Sequence, residues 1–416
     1  MKKSLLILAV ITLSAHGADA DNWPAWRGPA FNGVSDAKGF LTKWSQSENV
    51  AWKVPLSGGS GSTPIVWGDN IFVTSVKEGK NLLICLDHSG KTRWEQTVGD
   101  ERKGKHRRKG SGSHPSPTVD GQHVYVYYRS GDLTCLDFAG KIIWQKNLHA
   151  MYGADTLWWD LGTSPVLTKD LVVVAALHDK PSYLVAFEKL TGEVAWKHDR
   201  NMDAPREANH SYTTPLVMTQ NGREIIYVLG ADHVTAHEAG TGAEIWRVSG
   251  LNPGRQQFFR SIASPVVSEG ILVAPYARGQ TLTAIRLGGK GDVTDTHIAW
   301  TKNGLSADIP TPAATNGKLY LATDRGKVAC LDILTGEELW SDKVTSRSVT
   351  ISSSPVVVDG KIYVTIEAGT TYVLEQTDQF KLLVVNKIGE FTLATPVFTR
   401  NRILIRTYEN LYCIGK

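Results

Sequence analysis

The sequence predicts an all-β chain: an eight-bladed β-propeller of four-stranded antiparallel blades, its ring closed by an N-terminal strand that joins the last blade. Three observations carry this. Eight prolines (Pro64, Pro117, Pro165, Pro215, Pro265, Pro312, Pro355 and Pro396), usually after Ser or Thr, open short apolar runs 41 to 53 residues apart, the length of a four-stranded blade. Trp94, Trp144, Trp196, Trp246, Trp300 and Trp340 recur near the end of successive repeats, with Val385 in the seventh place. The eighth repeat stops at Lys416 without an outer strand, while a strand of that character, 49–55 with Trp52, precedes the first repeat. Joining the two removes edges that an open array of sheets would leave free to pair with other chains.

The stretch 318–340 shows one repeat in full. Residues 319–323 alternate apolar and polar, Asp324-Arg325-Gly326 is a hairpin turn, and 327–332 is the next strand. Thr335-Gly336 makes a second turn into 337–340, and 312–316 supplies the innermost strand. Unmodified Thr-Gly-x-x-x-Trp occurs at 191–196, 241–246 and 335–340; Gly90 and Gly140 keep the glycine in two more copies. The Trp is expected against a small Ala or Cys of the preceding strand. Asp87, Asp137, Glu188, Glu238 and Asp332 are placed to accept turn N–H groups.

Composition sets outer limits. A chain of 416 residues exceeds one simple core and suits a large repeat fold. Its formal charge of +4 argues against nucleic acid or another strongly charged partner. Residues 1–20 read as a secretory leader: Lys2 and Lys3, an apolar run over 5–13, and Ala18-Asp19-Ala20 as the cleavage site, with cleavage after Ala20. The apolar run is too short to span a membrane, no later stretch approaches one, and no lipoprotein cysteine follows the cleavage site. The expectation is a periplasmic or secreted monomer without a transmembrane segment. It divides into a signal peptide (1–20), an N-terminal segment (21–48) and the propeller (49–416).

Export permits disulfides, yet Cys85, Cys135, Cys330 and Cys413 all fall at one repeat position, where other copies carry Ala186 and Ala236. They are expected to be buried free thiols, with neither a disulfide framework nor a metal site.

Cys330-Leu331-Asp332-x-x-Thr335-Gly336-x-x-x-Trp340 resembles the tryptophan-docking repeat of the pyrroloquinoline quinone (PQQ)-like β-propellers. That superfamily includes quinoprotein alcohol dehydrogenases and the outer-membrane assembly factor BamB. The resemblance covers about 49–416 and recurs in register. The opening Trp23-Pro24-Ala25-Trp26-Arg27-Gly28-Pro29 looks like that of secreted members of unassigned function. The resemblance implies the propeller fold. It implies PQQ chemistry less directly: the dehydrogenases hold the quinone between a Trp and a vicinal disulfide, beside calcium bound by Glu, Asn and Asp. No adjacent cysteines and no CxxCH occur here, and the calcium set has no match. No cofactor is therefore expected, with PQQ and calcium as the alternative.

Connections from one blade's outer strand to the next blade's inner strand share one face at the channel mouth, and the four running 94→117, 144→165, 196→215 and 246→265 are long and consecutive. They bring candidate ligand-binding residues His114, Trp158, Trp159, Asp160, His210, Tyr212 and Arg260 to one side, with Arg206, Phe258 and Phe259 beside them. Adjacent tryptophans in a loop suit stacking on a sugar or quinone, or plugging of the channel. The segment 101–109, with six Lys or Arg, reads either as a solvated flexible loop or as an anion contact. His233 and His237 fall in a strand and are not read as metal ligands. Gly288-Gly289-Lys290-Gly291 lies in a hairpin-length insert, outside the strand-to-helix setting that cradles phosphate. No nucleophile, acid–base pair or metal set can be selected, so no catalytic residue is assigned. The leading expectation is an exported, non-catalytic binding or scaffolding module with a protein or glycan partner at the loop-rich face. The alternatives are a PQQ-dependent dehydrogenase-like enzyme with an altered site and a polysaccharide-binding protein.

Overall fold

The computed structural model describes residues 21–416; the leader expected at 1–20 lies outside them. Eight sheets follow in chain order, at 65–100, 118–147, 166–199, 216–248, 266–303, 313–343, 356–387 and 397–414 (blades 1 to 8). Each has four antiparallel strands in sequence order, and only a few short helical turns interrupt the connections. In blade 8 the outermost place is taken by Val50–Pro55, which pairs antiparallel with Asn410–Ile414 and sets Trp52 opposite Cys413. The ring closes as the sequence predicts.

The repeat register is uniform. Trp94 and Cys85, Trp144 and Cys135, Trp196 and Ala186, Trp246 and Ala236, Trp300 and Ala284, and Trp340 and Cys330 are cross-strand partners; Val385 faces Tyr372. A small residue opposite each indole leaves room for the ring to lie flat on its own sheet. The four cysteines are free and buried. Turn carboxylates act as expected: one oxygen of Asp332 accepts N–H groups of Leu334 and Thr335 at 2.9 and 2.8 Å.

The tryptophans also do something the repeat pattern does not reveal. Six of the seven indole N–H groups, all but that of Trp246, reach the next blade: Trp52 donates to His88 O, Trp94 to Phe138 O, Trp144 to Lys189 O, Trp196 to Ala239 O, Trp300 to Ile333 O and Trp340 to Thr377 O, at 2.7–3.0 Å. The turn glycine of that next blade lies under the ring. A Cβ on Gly90, Gly140, Gly192, Gly242 or Gly336 would come within 2.4–2.8 Å of the indole. The glycine of Thr-Gly-x-x-x-Trp is thus the seat for the preceding blade's Trp.

Two sheets gain a fifth strand. Gly291–Asp292, from the insert before Trp300, crosses to blade 4 and pairs parallel with Glu244–Val248. It is therefore not a hairpin of its own blade; it covers outer-edge N–H and C=O groups that lack partners in their own sheet. Val34–Ser35 pairs parallel with Val356–Val358 of blade 7.

That second addition belongs to a larger device. The N-terminal segment crosses the ring beneath the inner strands. Trp23 exchanges backbone bonds with Val66 of blade 1, Pro24 O accepts from Val119 of blade 2, Asn32 O accepts from Ala314 of blade 6, and Gly33 O accepts from Val357 of blade 7. Arg27, fully buried, donates to Pro312 O at 2.7 Å and Pro355 O at 3.0 Å. Farther along, Trp44 packs at 6.4 Å from Tyr363, and its backbone N–H donates to Asn386 Oδ1 at 2.9 Å. Trp44 fills the region beside the blade that lacks a docking Trp.

Candidate functional site

The inner strands and the loop-rich face enclose a cavity of about 730 Å³. Its floor includes Trp26, carried there by the crossing N-terminal segment. Its wall is a girdle of hydroxyls, from the residue before each inner proline: Thr63, Ser116, Ser164, Thr214, Ser264, Thr311, Ser354 and Thr395. The girdle is stitched blade to blade. The backbone N–H of Thr63 donates to Ser116 Oγ, Ser116 to Ser164, Ser164 to Thr214, Thr214 to Ser264, Ser264 to Thr311, Thr311 to Ser354 and Ser354 to Thr395, at 2.8–3.1 Å. Proline fixes the turn into the strand, and the preceding residue is held extended, which aims its N–H at the neighbour.

Above the girdle stand the long loops. His114, Trp158, Trp159, Asp160, Tyr212 and Arg260 all line the cavity, joined by Phe258. His210 does not. It is wholly buried behind Trp158, with its ring 5.5 Å from the indole and Nε2 at 3.2 Å from Asp179 Oδ2. Tyr212 is held by its hydroxyl, which accepts the Trp159 N–H at 3.1 Å. Phe259 packs edge-on to Tyr276 instead of facing the cavity.

Most of the charge in the cavity is paired. Asp160 accepts the backbone N–H groups of Lys105 and His106 at 2.6 and 3.1 Å and lies 3.4 Å from Arg129 Nε. Glu207, buried, accepts from Trp159 Nε1 at 2.7 Å and lies 3.4 Å from Arg260, which also reaches Asp308 at 3.1 Å. His114 accepts the Gly61 N–H on Nδ1 at 2.9 Å and donates from Nε2 to Lys109 O at 2.7 Å. Burial lowers its pKa to about 4, so it stays neutral in this tautomer. By contrast Trp158, Trp159 and Phe258 are 39%, 44% and 47% exposed.

The basic segment 101–109 is not a free solvated loop. Arg102 pairs with Asp155, Lys105 Nζ donates to Leu157 O, and Lys109 reaches across to Glu367 of blade 7 at 2.5 Å. Tyr408 of blade 8 donates to Lys109 O. Burial opposes ionisation of Asp155, but His149, Arg102 and Arg129 hold its pKa down to about 2. Asp155, Leu157, Glu367 and Tyr408 lie 46 residues or more beyond the segment, so composition alone gives it the look of a tether. His237 sits in a strand, bonded to Gly242 O and Thr235 Oγ1 at 3.0 and 2.9 Å, and burial lowers its pKa to about 3.

Sequence reasoning missed Glu207, Trp26, the girdle and Arg278, which also lines the cavity. The girdle had a signal: Ser or Thr before every one of the eight prolines is more regular than a strand start requires.

The family model for the outer membrane protein assembly factor BamB matches residues 37–126, 79–217 and 234–382. Curated relatives of that name include one from Bordetella pertussis, 24% identical over 267 residues, which are 62% of this chain and 60% of the relative. Another, from Yersinia pestis, is 23% identical over 86% of each chain. The matched part is thus about three fifths of the Bordetella relative's length. Among solved structures, BamB from Moraxella catarrhalis superposes with a TM-score of 0.63 at 15% identity, covering 88% of this chain and 98% of that one. A europium-containing methanol dehydrogenase superposes with a TM-score of 0.73 at 12% identity, covering 96% and 98%. These two likenesses establish the propeller. The matched segments take in most of the chain, which belongs to the BamB family of PQQ-like β-propellers.

Proposed function

We propose that the protein is an exported, non-catalytic binding module of the cell envelope, whose loop-rich face receives a protein or other ligand at the aromatic-walled cavity. One contrast supports this above all. The cavity's acids and His114 are committed to structural partners, while Trp158, Trp159 and Phe258 are held by backbone and second-layer contacts and left open. Rigid, exposed aromatics on fixed loops give binding area at low entropic cost. The relatives named as outer membrane assembly factors and the leader-like 1–20 favour a role in the envelope.

The PQQ alternative needs carboxylates free to hold a cation beside a quinone. Asp160, Glu207 and Asp308 spend their oxygens on backbone N–H groups, Trp159 and arginines. Among the described residues no three His, Cys, Asp or Glu side chains converge as a metal site, and the four thiols lie in four different blades. The residues present do not fit that pair. The test is native mass spectrometry of the protein isolated from its own envelope fraction, beside a Trp158→Ala/Trp159→Ala variant. A bound partner or ligand on the wild type, absent from the variant, is expected. Retained PQQ with dye-linked alcohol oxidation, or equal retention by the variant, would overturn the proposal.

A further inference from the structure

The hydroxyl girdle offers the cavity hydrogen-bond donors with nothing to receive them, and two buried cations without counter-charge lie directly behind it. Seven girdle hydroxyls each accept one backbone N–H, yet none of the eight donates its own proton to an acceptor among the described residues. All eight residues are at least nine-tenths buried. Buried hydroxyl donors are ordinarily satisfied, so eight aimed at one space call for an acceptor-rich occupant.

Two buried guanidinium groups adjoin the girdle. Arg27 donates to the carbonyls of Pro312 and Pro355, each one residue after a girdle member. Arg406 lies at the seam between blades 8 and 1 and donates to Ser62, one residue before Thr63. Among the described residues both bond only to backbone carbonyls and Ser62, with no carboxylate, and Arg27 Nε and Arg406 Nε and Nη2 have no partner. Burial lowers both pKa values to about 9, which leaves them charged at neutral pH. A buried cation without a counter-charge is costly, and the two acids lining the cavity are neutralised higher up.

We infer that the hydroxyl girdle, backed by Arg27 and Arg406, is an oxyanion site that takes a phosphate or carboxylate group at the cavity floor. A free ion fills it alone; a larger ligand places its anionic end there and its body against Trp158 and Trp159. The inference rests on the cavity being the binding site proposed above and names the chemistry that its floor recognises.

The experiment titrates the mature chain with inorganic phosphate and, separately, acetate, against chloride at matched ionic strength, read by calorimetry and melting temperature. Saturable one-site binding of at least one oxyanion, with a rise in Tm that chloride does not reproduce, is expected; the tighter of the two identifies the group. Thr214→Val should weaken binding at least tenfold, Thr214→Ser should restore it, and Arg107→Ala/Arg108→Ala on the exposed loop should leave it unchanged. Arg27→Met should also lose it but gives up two interblade hydrogen bonds, and Thr214→Val gives up one, from Ser164 N–H, so each loss counts only where the variant's Tm without oxyanion stays within a few degrees of wild type. Equal stabilisation by chloride, no saturable binding, or loss in the loop variant in place of Thr214→Val would overturn the inference. A wild type that ignores both oxyanions yet retains a ligand through Trp158 and Trp159 overturns it while leaving the wider binding reading intact. Oxyanion binding without any ligand at those tryptophans does the reverse.

Discussion

Substituting alanine at Gly242 isolates the energy of one blade-to-blade dock. Gly242 has φ +71°, and an added Cβ would lie 2.4 Å from Trp196 Cε3. Alanine at positive φ costs about 1–2 kcal/mol on its own. Forcing the indole aside adds about 1–3 kcal/mol of overpacking, and losing the 2.9 Å bond from Trp196 Nε1 to Ala239 O adds about 1 kcal/mol. Gly222, in the same blade, has φ +76° and nothing within 4 Å of its absent Cβ, so Gly222→Ala carries the backbone cost alone. Chemical denaturation followed by tryptophan fluorescence should separate the two variants by about 2–4 kcal/mol, Gly242→Ala being the weaker. Equal destabilisation would mean that the glycine serves only its own hairpin and that the indole does not depend on the next blade.

Three further outcomes follow from the same geometry. Trp340→Ala, which empties a buried interblade position, should cost about 3–5 kcal/mol in a melting or denaturant series, whereas Trp158→Ala/Trp159→Ala should cost about 1 kcal/mol or less; a comparable loss would make the loop tryptophans core. Burial opposes ionisation of Glu390, but hydrogen bonds from Lys53, Tyr412, Asn410 and Thr407 hold its pKa at about 2 against an ordinary 4.5. Its contribution is therefore present above pH 4.5 and lost as pH falls toward 2, and Glu390→Gln should flatten that limb of an acid-unfolding curve; an unchanged slope would remove Glu390 from the closure. Burial pushes the thiols of Cys85, Cys135 and Cys330 up to about 12 and Cys413 to about 11, so thiol reagents at pH 8 should find no reactive group in the native protein and four in denaturant.

The propeller was legible because its repeat is written in residues with few alternative uses. Pro64 to Pro396 and Trp94 to Trp340 mark the two ends of each sheet, and the stray strand with Trp52 completes the count. The loop-rich face over the cavity was legible too, since unequal loops on an even scaffold show where chain has been added. What stayed hidden depends on contacts between distant segments. Arg27 reads as one basic residue among many until Pro312 and Pro355 are brought beside it. The segment 101–109 reads as mobile because the groups that pin it, Asp155, Asp160 and Glu367, lie elsewhere in the sequence. His210 lies on the same long loop as Tyr212, which is all the sequence shows, but its side chain supports Trp158 from behind.

The way the ring is shut also orders its assembly in time. Val50–Pro55 is made early and can find its place only when Asn410–Ile414 exists. Thr399 bonds back to Asp21 at 2.5 Å, and Arg27 waits for Pro312 and Pro355. Blades 1 to 6 can each form from local hairpins as they appear, at low cost in loop entropy. The final weld joins segments more than 350 residues apart, so until then the chain is an open arc with two unpaired edges and an uncovered channel floor. Those edges are the part of this molecule that a chaperone, or a neighbouring unfinished copy, would meet first.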